Sequence, residues 1–312
     1  MPKSKKERQP EHTTKFNQIK RSTNLLFSLV FLVICFVCVV PLVFIVIISL
    51  TDQSSILMNG YSFFPSKWSF AAYHTLFTAS QSLYTTLGNS VFITVVGTLL
   101  GLYMNSIMGY VLSRKTFRFH RLFNYIVFIP MVFYGGLVPT YMVVTQVLHL
   151  RDSLWAVILP LCVSSFYVIV LRTFFVSTVP ESLVESARLD GATQGTIFFR
   201  IVLPISLPAL ATIALFLAFA YWNDWYQAML YISGNSSKWP LQYALISIER
   251  DLTFITSNPM LSTVSKAQML KNLPSDGVRM AMVVVSVIPI ALSYPFFQRY
   301  FTSGLTVGAV KG

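Results

Sequence analysis

The sequence predicts an all-α integral membrane protein with six transmembrane helices, on three observations. Of its 312 residues, 54% are hydrophobic and only 11% charged, against about 25% charged in an average soluble domain. Six stretches, 25–50, 88–112, 122–147, 153–171, 207–230 and 280–298, are long and apolar enough to cross a bilayer, and only the fifth contains a charge, Asp224. The basic residues gather at the ends of these stretches and not on one amphipathic or aromatic platform. The net charge of +12 therefore points to membrane topology and not to nucleic acid.

Taken in order, residues 1–24 form a polar tail with Lys3, Lys5, Lys6, Arg8, Lys15, Lys20 and Arg21, read as disordered and cytoplasmic. The uncharged run 25–50 exceeds a signal-peptide core and lacks a small-residue cleavage site, so it reads as a retained anchor. Residues 61–84, with Tyr61, Phe63, Phe64, Trp68, Phe70 and Tyr73, read as an interfacial external stretch. In the third span Gly135-Gly136 precedes Pro139 and marks a helix interruption, which lipid tolerates only against protein or a cavity. The longest connection, 231–279, contains Leu241, Tyr243, Leu245, Ile246 and Ile248 and is expected to fold and make contacts. Residues 305–312 form a C-terminal tail. With both termini inside, the inner segments hold 16 of the 23 Lys and Arg residues and the longer outer segments 7. That asymmetry predicts cytoplasmic termini.

The same topology puts the connection 177–204 in the cytoplasm, and its core reads ESARLDGATQGTIFFRIVLP from Glu185 to Pro204. Thr178, Pro180 and Glu181 suggest a capping box that starts a short helix near Pro180. Gly191 stands where a left-handed residue would close it. A second short helix is expected from Thr193 to a stop before Pro204. The expectation is helix, glycine turn, helix at a membrane surface.

Several chemistries are missing. No G-x-x-x-x-G-K-[ST] phosphate loop, H-E-x-x-H or G-x-S-x-G occurs; His12, His74, His120 and His149 are scattered, and no metal site is expected. Cys35, Cys38 and Cys162 lie in apolar runs and read as small buried residues. A self-contained channel or secondary carrier, the alternative reading, needs intramembrane carboxylates or a filter, and five spans have neither charge nor such a motif. The candidates for a solute pathway are Asn105, Tyr134, Gln146, Trp222, Asn223 and Asp224. Interhelical hydrogen bonding is the default role of the amides, Asn89 included. An aromatic interfacial belt is the default for Trp222–Tyr226, although Trp and Tyr faces also stack on sugar rings.

The run Glu185-Ser186-Ala187, three residues, Gly191, nine residues, then Ile201-Val202-Leu203-Pro204 resembles the E-A-A-x3-G-x9-I-x-L-P signature of permease subunits of binding-protein-dependent ABC importers. Ser186 replaces the usual second Ala, and both are small. Gly135–Tyr141, Trp222-Asn223-Asp224, Tyr294–Phe301 and the tail Gly308–Gly312 make it similar to the carbohydrate-uptake branch, in the maltose-permease G-type half. The complex-oligosaccharide subgroup of Gram-positive bacteria is the nearest in pattern. The resemblance implies a type I ABC importer permease that catalyses nothing and binds no cofactor itself. Its partners would be a homologous second permease, two ATP-binding subunits that use ATP and Mg, and an extracellular sugar-binding lipoprotein that delivers an oligosaccharide. It implies location in a bacterial cell membrane and contact between the ATPase and Glu185, Ser186, Ala187, Asp190, Gly191, Ile201, Leu203 and Pro204. It also implies that 231–279 reaches towards the binding protein.

Overall fold

The computed structural model describes residues 21–309 apart from 79, 80, 134, 235 and 272. Most of the basic tail and the candidate Tyr134 lie outside the described residues. Among those described, every regular element is helical apart from one antiparallel bridge between Thr51 and Trp68.

Long uncharged runs give long helices, because in lipid a helix is the one open segment that pairs all its own backbone groups. Three are each long and apolar enough to cross a membrane. These are α1 (Arg21–Ser49), α4 (Gln81–Ser113) and the first part of α16 (Asp276–Ala309). Two short helices, α2 (Gln53–Asn59) and α3 (Ala71–Thr78), lie between α1 and α4. Helix therefore occupies much of the stretch expected to be interfacial, and α4 begins well ahead of residue 88. Along α1 the side chains from Leu25 to Val46 are mostly exposed, an apolar surface suited to lipid or to a neighbouring subunit.

Among the described residues three bent helix pairs also pass as spans, and counting each pair as one brings the total to six. The third comprises α5 (His120–Val132) and α6 (Leu137–Met142), with a π turn over Val143–Val147. Its break falls at the glycine pair, where Gly136 takes φ +92°. The fourth comprises α7 (Leu154–Cys162) and α8 (Ser165–Thr178), bent by 46°. The uncharged run 153–171 alone predicts a single helix ending near 171. The fifth is entered through an 84° bend, described below.

The core is organised on α4, which packs against α7, α8 and the fifth-span helix α12 (Leu207–Trp222). Its glycines set the approach. A Cβ at Gly97 would lie 2.5 Å from Tyr221 Cζ, one at Gly101 2.9 Å from the Cys162 carbonyl oxygen, and one at Gly109 3.1 Å from Arg172 N. Helices gain little hydrophobic drive against one another in lipid, so small residues that admit close backbone packing carry the association. The principal buried cluster runs from Ile93 and Tyr110 through Leu171, Phe175 and Val184 to Ile213, Leu217 and Tyr221.

At the end where α4 begins, the long connection is folded. After α13 (Tyr226–Tyr231) come α14 (Leu241–Ser257) and α15 (Thr263–Lys271). Asn89 Nδ2 donates to the carbonyls of Ser237 (2.8 Å) and Trp239 (3.1 Å), and Ser90 Oγ accepts from Leu241 N (2.8 Å). Arg279, almost wholly buried on α16, pairs with Glu249 of α14 at 3.2 Å and with Asp276.

Candidate functional site

The segment between the fourth and fifth spans is a helix, a turn and a second helical stretch. Its first helix, α9 (Glu181–Leu189), starts later than the capping box requires. Thr178 is still the last residue of α8, so its side chain cannot cap, and Pro180 takes the N-cap position with no side-chain hydrogen bond. Val184, Ala187 and Arg188 recur at helical spacing and face the bundle. Val184 is 2% exposed, and Ala187 packs on the core cluster. Burying such a valine contributes about 1.5–3 kcal/mol. Glu185, Ser186 and Asp190 face outward, and Leu189 is 90% exposed at the tip.

The turn follows from backbone geometry. Gly191 takes φ +82°, a region that costs other residues about 1–2 kcal/mol. Ala192 N donates to Ala187 O (2.9 Å) and Gly191 N to Arg188 O (3.0 Å). These two bonds close the helix in a Schellman arrangement. Asp190 is the C-cap residue.

The second stretch begins with a true cap, Thr193 Oγ1 accepting from Thr196 N at 3.2 Å. It then passes through α10 (Gln194–Ile197), a π turn over Phe198–Val202, and α11 (Leu203–Ile205). Helix therefore does not stop before Pro204. The π turn has already shifted the local hydrogen-bond register, so a residue without N–H is accommodated there. The change of direction comes at Ser206, between Pro204 and Pro208, where α12 leaves at 84°. Ile201 and Leu203 pack on the core cluster, and Pro204 is exposed.

One polar contact here has no signal in the sequence. The Gln194 amide sits between two elements, one end 3.1 and 2.9 Å from Arg188 Nε and Nη2 and the other 3.1 Å from Tyr110 Oη. Because a guanidinium only donates, the amide oxygen is assigned to the Arg188 end, where it accepts, and the nitrogen to the Tyr110 end, where it donates. Tyr110 lies near the end of α4, buried, with its ring 5.1 Å from that of Phe198 and with Arg114 4.8 Å above its face.

A profile described as "Binding-protein-dependent transport system inner membrane component" matches residues 93–307, a range that holds this whole segment. The chain belongs to that family. Among its relatives, the Polygalacturonan/rhamnogalacturonan transport system permease protein YtcP of Bacillus subtilis is 38% identical over 281 residues, covering 90% of this chain and 95% of that protein. The Arabinooligosaccharides transport system permease protein AraQ of Halalkalibacterium halodurans is 30% identical, covering 92% and 96%. A solved structure, described as a bacterial ABC transporter involved in the import of the acidic polysaccharide alginate, superposes with a TM-score of 0.77 at 28% identity. That match covers 91% of this chain and 99% of the other.

The permease's candidate pathway residues that are described, Asn105, Gln146, Trp222, Asn223 and Asp224, do not line one cavity. Asn105 is 0% exposed, and its amide is fully engaged: Nδ2 donates to Gly101 O (2.6 Å) and Cys162 O (2.8 Å), and Oδ1 accepts from Ser164 N (3.0 Å). It bridges the break between α7 and α8 and offers no surface to a solute. Trp222 is also buried, with Nε1 donating to Ser286 O of α16 at 3.0 Å. Asn223 and Gln146 are exposed, and Asn223 Nδ2 donates back to Phe219 O. Asp224 is half-buried and accepts from Gln227 N at 3.4 Å. A cavity of about 720 Å³ lies elsewhere, lined by Gln53, Thr75, Thr86, Trp239 and Ser275 among others. It sits at the end of the bundle remote from α9.

Proposed function

We propose that this chain is one permease half of an ATP-driven importer for an oligosaccharide, and that the helix–turn–helix from Glu181 to Ile205 is its contact with a separate ATPase. The observation that carries the reading is the division of that segment into two faces. Val184, Ile197, Phe198 and Val202 root it in the bundle, while Glu185, Ser186, Asp190, Gly191 and Leu189 stand outside with no element among the described residues over them. A capped, rooted element that shows an acid and a large apolar tip has the make-up of a docking surface. Family membership supports it, as does the transport of polygalacturonan, arabinooligosaccharides or alginate named for the relatives.

In this reading a second, homologous permease completes the pathway, two ATP-binding subunits carry ATP and Mg, and an extracellular lipoprotein delivers the sugar. The termini and the Glu185–Pro204 segment face the cytoplasm, as the distribution of basic residues supports. Glu185 makes a charge-assisted contact with a basic residue of the ATPase. Movement of the paired ATPases then tilts the spans between inward- and outward-open arrangements. Residues 231–279, held to α4 through Asn89 and Ser90, face the binding protein.

The test is co-purification with the partners, followed by a panel of neutral and uronic-acid oligosaccharides scored for stimulation of ATP hydrolysis and for uptake. Glu185→Lys should abolish uptake while the chain still inserts and the binding protein keeps its affinity. Uptake unchanged in that variant, or robust flux from the permease without an ATPase, would refute the proposal.

A further inference from the structure

We propose that Gln194 is the strut through which the ATPase-facing helix α9 drives α4, and that its amide sets how much sugar moves per ATP hydrolysed. The inference rests on the reading of α9 as the ATPase contact. The two backbone hydrogen bonds from Gly191 and Ala192 close the end of α9 and do not reach α10, and glycine is the residue that most readily permits such a turn to flex. Without a brace, displacement of α9 would be absorbed in that turn.

Gln194 supplies the brace. Its oxygen holds two nitrogens of Arg188 on the inner side of α9, and its nitrogen donates to the Tyr110 hydroxyl on α4. Both ends are anchored. Arg188 is fixed on a helix whose neighbour Val184 is buried in the core, and Tyr110 is held between the Arg114 guanidinium and the Phe198 ring. Contact with a guanidinium is charge-assisted and stronger than a neutral hydrogen bond. Beyond Tyr110 lies the helix on which the bundle is packed, since α4 meets α7, α8 and α12. Arg188, Gln194 and Tyr110 thus make α9, α10 and α4 one mechanical unit. Gln194 is a positioning residue that touches neither sugar nor nucleotide.

The test uses the assembled transporter with its ATPase and binding protein in proteoliposomes, and reads sugar taken up per ATP hydrolysed. Gln194→Ala and Tyr110→Phe should each lower that ratio by about fivefold or more, the lower range of typical coupling between sites. The double variant should be no worse than the singles, because both remove one chain of contacts. Gln194→Glu should recover most of the ratio: its carboxylate accepts from Arg188, and the Tyr110 hydroxyl can rotate to donate to it. A structural role alone would lower the amount of folded protein and leave the ratio unmoved. An unchanged ratio in Gln194→Ala, or additive losses in the double variant, overturns the inference. Glu185→Lys run in parallel separates the two levels. If it spares uptake, the docking reading has failed. If it abolishes uptake while Gln194→Ala keeps its ratio, the strut alone has failed.

Discussion

Replacing Asn105 with leucine separates two roles for this residue, because a solute contact and a structural bridge respond to the change in opposite ways. The side chain is wholly enclosed, and leucine shares its branching but carries bulkier methyl groups that would crowd backbone atoms now 2.6–3.0 Å away. The lost hydrogen bonds therefore set the minimum cost, and overpacking adds to it. Two backbone groups at the break in the fourth span, Cys162 C=O and Ser164 N–H, lose their partner. Gly101 C=O keeps its place in the ladder of α4 and loses only a second donor. Taking each orphaned group at about 1–2 kcal/mol, between the small net values measured inside membranes and the larger ones in soluble cores, gives a loss of about 2–4 kcal/mol. The assay is thermal unfolding of the purified chain in detergent, where such a loss lowers the midpoint by about 3–6 °C. Asn105→Asp should be no milder, since it keeps the acceptor for Ser164 but removes both donors and buries a charge. A midpoint equal to wild type with uptake abolished would refute this reasoning and return Asn105 to the solute pathway.

Other substitutions test neighbouring points. Gly97→Val pushes a side chain into the Tyr221 ring, 2.5 Å from the position of its Cβ, and should cost about 1–3 kcal/mol in the same unfolding assay. Gly88→Ala, with nothing within 4 Å, should cost much less and serves as its control. Trp222→Phe loses the indole donor to Ser286 and should cost about 1 kcal/mol with uptake retained; uptake lost at an unchanged midpoint would make Trp222 a solute contact. Gly191→Val meets no atom nearby but strains φ +82° by about 1–2 kcal/mol. The expected readout is faster proteolysis at the turn and lost uptake, with the global midpoint lowered by only about 2–3 °C.

What was legible in the sequence depended on how far each cause lay from its effect along the chain. Uncharged length reports directly on lipid, so α1, α4 and α16 could be read from composition. Gly135-Gly136 announced the break in the third span because glycine acts locally. The break at Val163–Ser164 carries no glycine, and its bridge comes from Asn105, in another helix, so no window of sequence contained both halves. Thr178 misled for a related reason: the capping pattern was present, but packing of Phe175 and Val179 in the core accompanies continuation of α8 through that position. Proline ordinarily ends an α-helix, so the local pattern predicts a stop before Pro204. The π turn before it, which no local rule anticipates, carries the helical path past it. In the candidate site the glycine turn and the start of a second helix near Thr193 could be read directly. The inward face of Val184, Ala187 and Arg188 was there in the spacing and became meaningful only with the bundle behind it. Gln194 bridges three elements and could not be found without coordinates.

The 84° bend at Ser206 has a consequence for how small movements are scaled. It joins a short arm, Gln194–Ile205, to a long one, the 16 residues of Leu207–Trp222. At 1.5 Å per residue the long arm reaches about 24 Å, so turning it about the elbow by about 10° sweeps its far end by about 4 Å. Trp222 stands at that end with its indole bonded to α16. The long arm is thus a lever: any turn at the elbow is magnified along a length that covers most of a hydrocarbon core of about 30 Å, and is largest at the end that packs against the last helix.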